Sequence, residues 1–228
     1  MWIIKYLESL KNQEKAKILQ QFFKTGKGQY GEGDIFLGIT VPQLRIISKQ
    51  YKELKLEEIQ KLLDNKTHEI KLVGLLILIL QYKKTENKKE IFEFYLKNTK
   101  KINNWDLVDL TAPNIIGEYL LNKDRTILYK LAKSENLWEK RIAIISTLTF
   151  IRNNQFEDII KISEILIEDK HDLIHKAVGW MLRELGKRNL QLEEEFLNKY
   201  YKKMPRTMLR YAIEKFNEEK RKYYLKKN

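Results

Sequence analysis

Trp105 and Asp109 are four positions apart, which on a helix puts an indole and a carboxylate on one face with Cβ atoms roughly 6 Å apart. Pro113 follows four residues after Asp109. It cannot donate the backbone bond that the Asp109 carbonyl expects, and its ring kinks or breaks the helix there, so the carboxylate stands at a distorted turn. A second group, Lys176, Trp180 and Arg183, falls at i, i+4 and i+7. On one helical face this makes a stripe of cation, aromatic and cation, able to hold a sugar-phosphate backbone against an aromatic plate. Each group also has a purely structural reading: Asp109 as the buried ion-pair partner of Arg141, and Trp105 and Trp180 as core fillers. The spacing alone does not choose between the two. Trp2 and Trp138 are assigned core or staple roles.

The elements that must carry these residues are helical throughout. Apolar residues recur at three- and four-residue spacing, as in Ile18, Leu19, Phe22 and Phe23 or Ile142, Ile145 and Leu148, and strand-like alternation is hard to find. Four segments, 68–84, 104–121, 137–153 and 172–187, align at a period of 35. In that register Lys71, Asp106, Arg141 and Lys176 share one slot, and Gly74, Asp109, Ile144 and Gly179 share another. Leu209–Tyr211 lands close to a fifth copy. Shorter helices are expected between them, at roughly 88–98, 124–133, 156–168 and 191–200, so each repeat is a helix pair of the kind that stacks into a solenoid. The fold class read here is all-α, a HEAT-like helical-repeat solenoid forming an α-α superhelix, with residues 1–228 as one domain. The shared basic slot would line its concave wall with cations and make a basic DNA-binding cleft.

Composition sets the outer limits. Lys and Arg number 44 against 31 Asp and Glu, a net charge of +13, which attracts polyanions without choosing among them. A Lys-, Ile- and Asn-rich composition can itself produce such an excess, so position has to carry the argument. The absence of cysteine excludes disulfides, thiolate metal sites and iron–sulfur clusters and points to an intracellular compartment. Met1 to Lys11 has no basic start before an apolar stretch, and the run Leu72–Leu80 is too short to span a bilayer. The expectation is a cytoplasmic, nucleoid-associated monomer that does not enter a membrane. It needs no cofactor and no metal, because His68, His171 and His175 lack a ligand set to complete a site.

At these residues the sequence resembles the AlkD-type DNA alkylation repair family, DNA glycosylases built of HEAT-like repeats. The segments that carry the resemblance are GDIFLGITVPQLR (33–45), HEIKLVGLLIL (68–78), NNWDLVDLTAP (103–113), NLWEKRIAI (136–144) and HKAVGWMLREL (175–185). The resemblance implies a catalytic set of a Trp and an Asp one turn apart, an Arg in the next repeat helix and a Trp in the one after, matched here by Trp105, Asp109, Arg141 and Trp180. It further implies excision of cationic N3- or N7-alkylated purines from double-stranded DNA by hydrolysis of the N-glycosidic bond, with the backbone engaged rather than a base-reading pocket filled. In that reading Asp109 stabilises the developing sugar cation and both indoles favour it. Arg141 anchors a flanking phosphate and orients Asp109, and Lys71, Lys176 and Arg183 hold the duplex.

Thr40 reads as a helix N-cap with Pro42 at an early helical position, which makes Thr40, Gln43 and Arg45 candidates for backbone contact. His175 reads as a surface or phosphate-contacting residue. The stretch KTGKGQYGEGD (24–34) lacks the Gly-Lys-Ser/Thr of a phosphate loop and is read as an ordered turn. The basic end KRKYYLKKN (220–228) either touches DNA or solvates the last helix, with solvation the favoured reading. Two other functions fit the same features: a noncatalytic HEAT-repeat protein that binds damaged or structured DNA, and a protein-interaction scaffold for acidic partners.

Overall fold

The computed structural model describes residues 1–226; Lys227 and Asn228, the end of the basic tail, lie outside the described residues. These residues form two compact units, Met1–Thr111 and the described residues from Ala112 onward. Among the described residues every regular element is helical apart from one isolated parallel bridge, Ile35 to Thr67, and no helix is long and apolar enough to cross a membrane.

The first unit holds α1 (Trp2–Ser9), α2 (Gln13–Phe22), α3 (Val41–Gln50), α4 (Leu56–Leu63), α5 (His68–Lys84), α6 (Lys88–Lys97) and α7 (Trp105–Ala112). Its centre is α5, which is buried on all sides because α3, α4 and α6 pack around it. That explains its nearly unbroken apolar run, since a helix covered all round has no polar face to show. The segment 24–34 is an ordered turn, as expected. Lys24, Gly28 and Gly33 take positive φ, and the Gly26 and Gly28 amides donate to Gln29 Oε1 (2.9 Å) and Glu32 Oε2 (2.7 Å) within the turn itself.

The second unit begins with a π-helical turn, Pro113–Gly117, and continues through α8 (Glu118–Leu120), α9 (Thr126–Ala132), α10 (Leu137–Arg152), α11 (Glu157–Leu166), α12 (Asp172–Gly186), α13 (Leu190–Tyr200), α14 (Arg206–Ala212) and α15 (Glu218–Leu225). The break expected at Pro113 takes the form of this π turn. Proline removes one i to i−4 bond, and the wider register absorbs the loss without ending the helix. The Pro113 carbonyl accepts from Thr149 Oγ1 at 2.8 Å. Arg125 ties this unit together more firmly than its sequence context suggests. Its Nη1 meets Asp158 at 2.5 Å, its Nε donates to the Leu120 carbonyl at 3.1 Å, and its guanidinium lies 3.7 Å from the centre of the Phe150 ring.

The predicted repeat pairs appear with little change: α5 with α6, α10 with α11 and α12 with α13 are each a long helix followed by a shorter one. The slot shared by Gly74 and Gly179 also gains a reason. A Cβ at 179 would lie 2.4 Å from the Met208 carbonyl oxygen and 2.5 Å from Tyr211 Cβ, and one at 74 would lie 3.1 Å from Leu62 Cβ. In both copies the glycine lets a neighbouring helix approach, α14 onto α12 and α4 onto α5. Trp138 is buried as expected. Trp2 is not: it is 73% exposed and stacks on Tyr6 at 6.0 Å on the surface of α1, because α1 is a short helix whose buried side is taken by Ile3 and Leu7.

Candidate active site

In the first unit, helix α7 carries Trp105 and Asp109, both half-buried. One side of the Trp105 indole is braced from behind by Phe23, stacked at 5.2 Å and 21°, and Phe22 meets it edge-on at 6.0 Å. Phe23 and Phe36 form a small core cluster with Ala16, against which Leu19 and Trp105 pack. Asp109 lies close enough to Tyr95 for its charge to be felt there. The Tyr95 phenol is pushed up out of its usual range, first by complete burial and then by Asp109, against the opposing bond to Thr111.

The first turn of α7 is held by a buried polar cluster that the repeat pattern did not reveal. Asp106 sits in the slot that carries cations in the other copies. Its carboxylate meets His68 Nε2 at 2.8 Å and accepts from the Leu107 amide at 2.8 Å. On the other side of the imidazole, Asp34 lies 3.7 Å from Nδ1. Burial alone would lower the His68 pKa; Asp106 and then Asp34 outweigh it and raise the pKa to about 9. Burial likewise works against ionised Asp34, but the nearby His68 ring, the bond from Asn103 and the Lys71 charge bring its pKa below the usual carboxylate value. Asn103 and Asn104 donate to Asp34 at 2.8 Å and 3.3 Å.

Lys71 belongs to this cluster. It is only 8% exposed and donates to Asp34 Oδ1 at 3.3 Å and Asn103 Oδ1 at 2.7 Å. This corrects the expectation that it joins a row of phosphate contacts. A buried ammonium already bonded to a buried carboxylate would leave an uncompensated charge behind if it turned out to meet a phosphate. Thr40 and Arg45, by contrast, are exposed on α3. Thr40 is its N-cap, and Gln43 Oε1 accepts from the Thr40 amide at 3.1 Å and its hydroxyl at 2.7 Å.

In the second unit, α12 presents Lys176, Trp180 and Arg183, all half-buried, in the expected stripe. Each has an acidic neighbour: Asp172 lies 2.7 Å from Lys176 Nζ and Trp180 Nε1 donates to Glu184 at 3.1 Å, both one turn away on α12 itself, and Arg183 pairs with Glu214, which the spacing along the helix does not disclose. The stripe is therefore closer to neutral than its cations suggest, although such partly exposed pairs exchange partners at little cost. Arg141, on α10, is buried and donates from Nη1 to the Leu173 carbonyl at 2.5 Å, at the first turn of α12. His175 does not reach outward; its Nε2 bonds the Asp169 carbonyl at 2.5 Å.

The chemistry available in the first unit is thus a carboxylate and a rigidly backed indole on one helical face, and in the second an aromatic residue flanked by exchangeable cations. No curated protein matches the sequence. Among solved structures the chain is similar to a predicted DNA alkylation repair enzyme from Enterococcus faecalis, with a TM-score of 0.71 at 20% identity over 91% of this chain and 97% of that one. A likeness at this identity bears on the fold, and it agrees with an all-helical repeat architecture. The family model for DNA alkylation repair enzyme matches residues 3–216, and the chain accordingly belongs to the DNA alkylation repair enzyme family.

Proposed function

We propose that this protein is a DNA glycosylase that removes cationic N3- or N7-alkylated purines from double-stranded DNA, leaving an abasic site. The observation that carries the reading is the face of α7, where half-buried Asp109 stands one turn from an indole whose other side is locked by Phe23. Alkylated purines of this kind are already good leaving groups, so little acid assistance is required. As the glycosidic bond breaks, its electron pair leaves with the cationic base, which departs neutral, and positive charge grows on the deoxyribose. A fixed carboxylate stabilises that charge better than reorganising solvent does, and the indole faces of Trp105 and Trp180 act in the same sense. Water then adds to the sugar carbon and gives up a proton, with Asp109 positioned to orient it.

In this reading Lys176, Arg183, Thr40 and Arg45 hold the duplex, while buried Arg141 acts from inside through the Leu173 carbonyl, as Lys71 does through Asp34. Residues 1–228 work as one HEAT-like repeat domain and as a monomer, on DNA in the cytoplasm. The test is single-turnover release of N7-methylguanine from methylated duplex DNA by wild type and Asp109→Asn, with duplex affinity measured in parallel. Release should fall about a hundredfold or more in the variant while affinity survives. Tight duplex binding without release by wild type would instead make this a noncatalytic DNA-binding protein.

A further inference from the structure

We propose that His68 is a positioning residue for the candidate site: its buried ring, held between Asp106 and Asp34, anchors a cluster of packed rings on which the Trp105 indole rests. The rings are in mutual contact. His68 stacks on Phe36 at 4.6 Å and 22° and meets Phe23 directly at 5.1 Å and 36°, Phe36 stacks on Phe23 at 5.0 Å and 18°, and Phe23 stacks on Trp105 at 5.2 Å and 21°. The same imidazole holds Asp106, the residue next to Trp105, at 2.8 Å. His68 thus controls Trp105 by two routes, through the rings and through the first turn of α7.

Packing alone does not fix this cluster. A cavity of about 120 Å³ lies beside it, lined among others by Leu19, Phe23, Phe36, Leu44, His68 and Asp106. Rings next to open space can shift unless one of them is tied, and the tie, at His68, is polar. The charges acting on the ring are the Asp106 carboxylate from α7 and the Asp34 carboxylate from the segment before α3; Lys71, one turn further along α5, engages Asp34 from its far side. The Phe36 and Phe23 faces bring no charge. When His68 is neutral, two buried carboxylates lose the positive partner between them and the clamp weakens.

The inference rests on the reading of Trp105 as a site residue, and its test has one arm independent of that reading. The protein is labelled with fluorotryptophan, its four Trp signals are assigned by single Trp→Phe variants, and fluorine NMR follows them with pH. In wild type the Trp105 signal should move with a midpoint near the His68 pKa of about 9, while Trp138 in the second unit stays still. In His68→Gln the movement should be lost and the Trp105 signal displaced already at neutral pH, and His68→Lys, which restores a cation, should recover part of it. A Trp105 signal indifferent both to pH and to His68→Gln overturns the proposal.

The second arm is excision by His68→Gln, which should lower kcat about tenfold or more with little change in KM, since misplacement of a site residue acts on the chemical step. An unchanged kcat alongside a displaced Trp105 signal also overturns the positioning role. If wild type releases no base at all, the glycosylase reading fails while the NMR arm still decides the anchoring of Trp105.

Discussion

Glu69 offers the sharpest test of the reasoning about the first unit. Its side chain is buried, and its carboxylate is a four-contact acceptor: Oε1 receives the amides of Leu37 (3.0 Å), Gly38 (2.7 Å) and Ile39 (3.3 Å), and Oε2 receives that of Leu37 at 2.9 Å. Three successive amides can converge on one anion because Gly38 sits at φ +85°, a left-handed conformation open to glycine. This bond set ties the chain just before the Thr40 cap to the first turn of α5. Glu69→Ala strands three buried N–H groups, each worth about 1–3 kcal/mol when left without an acceptor. Allowing for water entering the space, the loss should be about 4 kcal/mol, a large part of the roughly 5–15 kcal/mol that stabilises a domain. Glu69→Gln keeps one acceptor oxygen but turns an NH₂ toward the Leu37 amide, for a loss of about 2 kcal/mol. Urea unfolding midpoints give the order wild type, Gln, Ala, and hydrogen exchange should quicken selectively at Leu37, Gly38 and Ile39. A loss below about 1 kcal/mol in Glu69→Ala, or unchanged exchange at these three amides, refutes the account of the loop as built on this carboxylate.

Alkaline pH should destabilise the fold through His68. Its pKa is raised from 6.5 to about 9 in the folded state, so its contribution is complete below 6.5 and disappears as pH rises through about 9. The size is about 3 kcal/mol, to be read as the difference between wild type and His68→Gln in denaturant titrations across that range. Gly179→Ala should cost about 1–3 kcal/mol by forcing α14 away from α12, and more than Gly74→Ala, where the nearest atom leaves more room; thermal unfolding of the two variants checks the ranking. Lys176→Ala should reduce the salt dependence of duplex binding by about one in the slope of log K against log salt, whereas Lys71→Met should instead lower stability, because its ammonium is spent on Asp34 and Asn103.

Much of this protein was legible without its tertiary structure. The helices, their pairing at a period of 35, the cap at Thr40 and the disturbance at Pro113 follow from spacing and capping, which are set by neighbours three and four residues away along the chain. The placement of Trp105 with Asp109, and of Lys176 with Trp180 and Arg183, on shared faces is local in the same way. What a side chain meets beyond its own helix is not local. Lys71 and Lys176 occupy the same repeat slot, yet Lys71 is buried on Asp34, 37 residues away, while Lys176 stays half-exposed and pairs with Asp172 of its own helix. Trp2 and Trp138 look alike in sequence, yet only Trp138 is covered. The His68 clamp joins residues 34, 68 and 106, and the rings that back Trp105 come from residues 23 and 36. No periodicity links these positions. They meet only because α5 lies at the centre of its unit and gathers what packs around it, so the sequence by itself determined the helices and the faces they carry, while long-range packing decided which charges are consumed inside and which remain for a partner.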